Sequence, residues 1–272
     1  METVKLAGRV AIVTGGGRGI GRAIALGLAS AGANVVITAA RNPREASEVA
    51  QSAREALGRE CLLAVAADVT READCVRVVD TALERYGAVH ILVNNAARGM
   101  RFVDERFLDR PAKFWQAASG AWRMIVETNV DGPFLMARAV VPHLLAQRWG
   151  RLINISINYE TMGRAGFSPY GPSKAALEAA TAGWARELDG TGVTVNALLP
   201  GGITDTAMVP DTAPEEVRRT MLDPAIMVAP VRWLCSADAD AISGQRMVAN
   251  KWDPSLPANE AARRALGPLP WT

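Results

Sequence analysis

Val10-Ala11-Ile12-Val13-Thr14-Gly15-Gly16-Gly17-Arg18-Gly19-Ile20-Gly21 passes from a short apolar run through a glycine-rich turn into a stripe, Ile20, Ile24 and Leu28, that recurs every four residues. The run reads as a strand covered on both faces, and the stripe as one face of a helix. Glycines at 15, 19 and 21 permit positive φ and let backbone N–H groups approach a pyrophosphate at the helix N-terminus. Between a first strand and a first helix, the GxxxGxG spacing is a variant of the dinucleotide-binding turn.

The same alternation continues outward. Further apolar or β-branched runs occur at Val35 to Thr38, Leu62 to Ala66, Val89 to Val93, Leu152 to Ile155, Val193 to Leu199 and Arg246 to Ala249. Between them lie segments with helical spacing, for which Val76, Val79 and Leu83 predict one stripe. Asn42, Pro43 and Glu45 predict a helix start with a capping box. Strands alternating with helices, joined by right-handed crossovers, give a doubly wound α/β fold of the Rossmann type, a parallel sheet with helices on both faces. No linker or repeat divides the chain, so residues 1–272 are expected to form one domain. Two stretches break the pattern. Residues 100–123 mix charges with Phe102, Phe107, Phe114, Trp115 and Trp122, as in a lid or a partner-contacting insertion. The tail, residues 251–272, carries Pro254, Pro257, Pro268 and Pro270 and ends near Trp271; it cannot be one long helix and is expected to pack over the core or against another subunit.

Composition narrows the function classes. The 272 residues are 49% hydrophobic and 21% charged, with 30 Lys+Arg against 28 Asp+Glu and a formal charge of +2. The basic residues are dispersed among carboxylates, so no nucleic-acid partner is expected. No apolar run approaches the roughly 18 residues of a membrane span. Met1 to Val10, with Glu2, Lys5 and Arg9, has no apolar core of a secretory signal, and a cytoplasmic location is expected. Cys61, Cys75 and Cys235 are widely spaced and odd in number, and neither His90 nor His143 has a partner at ligand spacing, so neither a disulfide framework nor a metal is expected.

The second strand runs into Thr38-Ala39-Ala40-Arg41, where a carboxylate would otherwise accept the ribose hydroxyls of NAD. With no carboxylate there, and with Arg18 and Arg41 able to pair with a 2′-phosphate, NADP(H) is favoured over NAD(H). After the third strand, Asp68 is either an acceptor for the adenine amino group or a turn residue.

Taken with Asn94-Asn95-Ala96, Tyr170-Gly171-Pro172-Ser173-Lys174 and Asn196-Ala197-Leu198-Leu199-Pro200-Gly201, the turn makes residues 5–249 resemble a short-chain dehydrogenase/reductase. The resemblance implies a nicotinamide cofactor, hydride transfer to or from a carbonyl or secondary alcohol carbon, and a homotetramer or homodimer. It implies cofactor contacts at Gly15, Gly17, Arg18, Gly19, Ile20, Arg41, Asp68, Val69, Asn94 and Ala96. Further contacts fall at Tyr170, Lys174, Pro200, Gly201, Ile203 and Thr206, the last shifted by an extra residue in 201–206. It also places Asn129 where the family holds a relay water, and Tyr170 and Lys174 as the reactive pair.

The pair can be argued independently. Tyr170 and Lys174, at i and i+4, project from one helix face. A fixed ammonium about 5 Å from the phenol, at an effective dielectric near 20, is worth about 3 kcal/mol, roughly two pKa units. A phenol lowered in this way can donate a proton to a developing alkoxide or take one from an alcohol.

Two positions depart from the family pattern. Ala97 replaces a usual glycine, which is tolerable at negative φ. Counting back from Tyr170, the position of the family's catalytic serine falls on Ile157, which has no hydrogen-bond donor. Ser156 and Asn158 flank it as candidates, but strand alternation turns both away unless the strand has already ended at 158. The leading reading is an NADP(H)-dependent carbonyl reductase or alcohol dehydrogenase; the alternative is a cofactor-binding relative with impaired catalysis, acting as a sensor or assembly partner. Met208, Met221 and Met227 with the aromatic insertion predict an adaptable apolar pocket and a preference for uncharged substrates.

Overall fold

The computed structural model describes residues 5–270. Trp271 of the tail, and the Met1 to Val4 part of the N-terminal stretch read for a signal, lie outside the described residues. The apolar runs become β1 (Val10–Val13), β2 (Asn34–Ala39), β3 (Leu62–Ala66), β4 (Ile91–Asn94), β5 (Gly150–Ile155), β6 (Val193–Leu199) and β7 (Gln245–Val248). They form one sheet in the order β3-β2-β1-β4-β5-β6-β7, all parallel, with register pairs such as Val13 with Val93 and Asn94 with Asn154. The direction of winding reverses between β1 and β4. Ligands of open α/β sheets bind in the crevice beyond the carboxyl ends of the strands at such a reversal.

An eighth strand, β8 (Leu266–Pro268), pairs antiparallel with β7 and was not foreseen in the tail. The tail packs over the core as expected, through Ala261, Ala262 and Leu269, each no more than 2% exposed.

The helices are α1 (Gly19–Ser30), α2 (Pro43–Leu57), α3 (Glu72–Tyr86), α4 (Ser119–Val126), α5 (Gly132–Gln147), α6 (Tyr159–Met162), α7 (Tyr170–Glu187), α8 (Glu215–Arg219), α9 (Val228–Leu234) and α10 (Ala258–Ala265). Between α4 and α5 the chain winds as a π-helix over Glu127–Asp131. On one face of the sheet, Ile24 and Leu28 of α1 meet Val231 and Leu234 of α9 and Ala262 of α10. On the other, Val78, Val79 and Ala82 of α3 meet Met136, Val140 and Leu144 of α5. Each fully buried Ile, Leu or Val here contributes roughly 1.5 to 3 kcal/mol.

Four expectations are corrected in detail. The buried stripe of α3 is Cys75, Val78, Val79 and Ala82, while Val76 is 45% exposed, so the apolar face is rotated from the one read off the larger side chains. The capping box before α2 does not form: the Asn42 amide donates to Glu45 Oε1 at 2.9 Å and caps no backbone group. Met227 is fully buried in the core against α1, and so lines no adaptable pocket. The irregular stretch ends at residue 118, where α4 begins.

Candidate active site

The turn after β1 is held from both sides. Gly15 N–H donates to Thr38 Oγ1 and Gly16 N–H to Thr38 O, at 3.2 and 3.0 Å, tying it to β2. Thr14 Oγ1 accepts from the N–H groups of Asn95 and Ala96, both at 3.0 Å, and Asn95 Nδ2 returns bonds to Thr14 O and Gly15 O. Gly15 and Gly19 have φ of +65° and +52°, where a Cβ is strained. A Cβ on Gly21 would collide with Gly15 O, so α1 starts as close to the turn as a backbone can. This leaves a cradle with no side chains across its floor, as a pyrophosphate requires. Thr206 lies against Gly19 at the rim, close enough that its methyl would contact a Cβ there.

Around the cradle stand cations. Arg18 is largely exposed and 3.8 Å from Glu45. Arg41 lies over the Phe102 ring, 4.6 Å from its centroid, with Arg98 5.8 Å from the same ring. Arg98 has no carboxylate within ion-pair distance among the described residues, and burial followed by the Arg41 charge lowers its affinity for a proton. Arg98 carries no signal in the sequence, although it stands two residues after Asn94-Asn95-Ala96. Asp68 Oδ1 accepts from Thr70 N–H and Oγ1, at 3.0 and 2.8 Å, which makes it a turn residue, while Oδ2 has no protein partner among the described residues. Val69, next to it, is buried against the Cα of Gly132.

A buried amide chain links the cofactor side to the reactive side. Asn94 Nδ2 donates to Asn154 Oδ1 at 2.9 Å, and Asn154 Nδ2 to Thr181 Oγ1 of α7 at 2.8 Å. Asn129, fully buried in the π-helical turn, accepts from Arg98 N–H at 2.8 Å and donates to Arg98 O and Ser173 Oγ, both at 3.0 Å. Both its amide hydrogens are therefore committed. Ser173 Oγ in turn donates to Tyr170 O at 2.7 Å, so Asn129 braces the first turn of α7. Ala97 is not in the left-handed region; among the described residues Arg148 is the one non-glycine that is.

Tyr170 opens α7 and packs under Met100, Phe107 and Phe167. Burial pushes its phenol up to about 12. Lys174, 2% exposed, donates from Nζ to Ile155 O at 2.8 Å, and burial pushes it down to about 8 although Glu178 pulls the other way. The geometry thus differs from the expected tuning: the ammonium is engaged with the end of β5, and the dominant influence on the phenol is the loss of water. Ser156 is turned away from Tyr170 and donates to Glu178 Oε1 at 2.6 Å. Asn158 lies past the end of β5, and its Nδ2 donates to Gly201 O at 3.1 Å, beside the bond from Asn250 Nδ2. Pro200 O accepts from Asn250 N–H, and Ile203 O from Leu222 N–H.

A cap closes over the pair. Arg101 donates to Ala207 O at 2.6 Å, and Thr212 Oγ1 to Glu105 O at 2.8 Å, which joins residues 100–112 to residues 203–222. Phe107 meets Phe167 edge to face at 5.5 Å. Phe114 and Trp115, farther along the insertion, are exposed.

The three cysteines are free and buried, and His90 Nδ1 accepts from Val10 N–H at the opposite end of the sheet. Among the described residues no helix is long and apolar enough to cross a membrane, and no group of His, Cys, Asp or Glu has the arrangement of a metal site.

Comparison with known proteins agrees with this geometry. The profile of the short chain dehydrogenase family matches residues 9–217. The 3-oxoacyl-(acyl-carrier-protein) reductase FabG of Vibrio cholerae is 33% identical over 255 residues, covering 91% of this chain and 98% of that protein. The crystal structure of 3-ketoacyl-(acyl-carrier-protein) reductase from Brucella melitensis, complexed with NADH, superposes with a TM-score of 0.76 at 30% identity, covering 88% of this chain and 95% of the other. A Beutenbergia cavernae protein assigned as an NAD(P)-dependent gluconate 5-dehydrogenase, with NADP at low occupancy, gives 0.78 at 31% identity, covering 91% and 97%. The glycine cradle, the buried asparagines and the Tyr170–Lys174 helix therefore stand in a chain that belongs to the short-chain dehydrogenase/reductase family of oxidoreductases.

Proposed function

We propose that the chain is an NADP(H)-dependent oxidoreductase that reduces an uncharged ketone or aldehyde, with Tyr170 as the proton donor. The observation that carries this reading is that a glycine cradle at the carboxyl end of β1 and the first turn of α7, which bears Tyr170 and is braced by Asn129 through Ser173, lie at the same edge of the sheet. The cofactor, when bound, supplies the hydride. Gly15 to Gly21 would hold its diphosphate, with Arg18, Arg41 and Arg98 around the adenosine end and Asp68 Oδ2 open to the adenine amino group. Pro200, Gly201 and Ile203 would flank the nicotinamide.

Burial holds the phenol protonated at neutral pH, the form in which it can deliver a proton. Ser156 is committed to Glu178, Asn158 gives one amide hydrogen to Gly201 O and retains a second, and Tyr170 is the donor proposed for the substrate oxygen. The apolar underside of the cap, Met100 and Phe107, favours uncharged substrates. Assembly into a homotetramer or homodimer is part of the same proposal, supported by exposed Trp122, Phe134 and Leu145 on α4 and α5.

The test is NADPH oxidation with a panel of ketones and aldehydes. Tyr170→Phe should lower turnover by about 10² to 10⁴. Undiminished turnover in that variant would reject the assignment.

A further inference from the structure

Behind the strand end that bears Ile157, charged side chains from two elements meet in the interior. Glu178, one helical turn beyond Lys174 on α7, is fully buried. Its Oε1 accepts from Ser156 Oγ at 2.6 Å and from Arg246 of β7 at 3.1 Å, and its Oε2 has no partner among the described residues. Arg246, 7% exposed, lies with its guanidinium 3.5 Å from the ring centroid of Tyr159 on α6, and donates to Ile157 O at 2.7 Å. Lys174 Nζ donates to Ile155 O. Two cations therefore hold the carbonyls of residues 155 and 157, and a carboxylate holds the side chain between them.

Stability alone does not call for charge here, because a buried ion pair is commonly no better than apolar side chains of the same volume. A carboxylate at this place has another effect. Lys174 is buried, and burial disfavours its ammonium form; Glu178 is the group that acts against this. A Lys and a Glu at i and i+4 ordinarily pair directly. Here no direct ion pair forms between them, because Ser156 and Arg246 hold the carboxylate on the far side. The ammonium is supported without being captured.

We propose that Glu178 is a positioning residue that holds Lys174 as an ammonium at neutral pH, and that Ser156 and Arg246 keep its carboxylate from pairing directly with that ammonium. The proposal rests on the reading of Lys174 as the cation of that site. The groups facing the Lys174–Glu178 pair are Ser156 just past β5, Arg246 from β7, Tyr159 from α6 and Tyr170 at the start of α7.

The chain contains four lysines, so 15N-lysine labelling allows the Lys174 Nζ resonance to be assigned by its loss in Lys174→Arg and titrated directly. In Glu178→Gln the midpoint should fall by about one pH unit. In Glu178→Asp, which keeps the charge, it should stay close to that of the parent. The alkaline limb of the pH–rate profile should move with the midpoint. A midpoint unmoved in Glu178→Gln, or a rate reduced equally at every pH, would overturn the proposal. Should Glu178→Gln not fold, Glu178→Met, which removes the charge and keeps a side chain of similar volume, carries the same titration with the same expected fall. The midpoint does not depend on turnover: if Tyr170→Phe turned over normally while the midpoint still moved, the assignment of function would fail and this inference would stand.

Discussion

Replacing Asn129 by Ala removes a side chain whose three hydrogen bonds join the segment after β4 to the first turn of α7. Arg98 N–H and Arg98 O lose their partner, and Ser173 Oγ loses the donor that faces it, though it keeps its own bond to Tyr170 O. Arg98 is half-buried and regains some water, so each lost bond is set at the ordinary net value of about 1 kcal/mol, and the whole at about 3 kcal/mol. For a chain of this size that is a fall in Tm of roughly 6 to 12 °C. The same change frees the backbone that carries Arg98 and loosens the first turn of α7, and a misplacement of about 1 Å at a reacting group is worth about 10² in rate. Differential scanning calorimetry and steady-state NADPH oxidation measure the two effects on one preparation. A Tm within about 2 °C of the parent, or full turnover, would refute the account of Asn129 as the brace between the cofactor side and α7.

Lys174→Met tests the electrostatics through stability. The lysine has a folded pKa of about 8 against 10.5 for the free side chain, so below pH 8 the fold bears the full penalty of a buried charge. Between pH 8 and 10.5 the unfolded chain binds the proton that the folded chain has released, and stability rises with pH. Urea denaturation should therefore show the parent gaining about 3 kcal/mol on Lys174→Met across that window, and parallel pH profiles would contradict it. Arg41→Asp should weaken NADPH by about 10 to 10² with little loss of NADH affinity, measured by fluorescence titration; an unchanged ratio would remove Arg41 from the phosphate site. Ile157→Ser offers the substrate oxygen a second donor and should raise kcat about 10-fold or more; no gain would mean the oxygen is already served by another group.

The strands were legible because parallel strands covered on both faces are continuous apolar runs, and β1 to β7 fall within about two residues of where the runs lie. Strand β8 was not, since Leu266–Pro268 is too short to show a period and exists only through its pairing with β7. The stripe of α3 was misread because Cys75 and Ala82, small but buried, carry as much of the apolar face as Val79. At the candidate site, local motifs pointed to Gly15, Asn129, Tyr170 and Lys174. What tunes them was hidden: Phe107 and Phe167, which shield Tyr170, come from segments far apart in sequence, and Glu178 meets Arg246 only because β5, β7 and α7 pack together.

The bonds from Arg101 to Ala207 and from Thr212 to Glu105 make one flap of two stretches that the chain visits a hundred residues apart. Cutting either tie by substitution therefore loosens the roof over Tyr170 from both stretches, far apart though they lie in sequence.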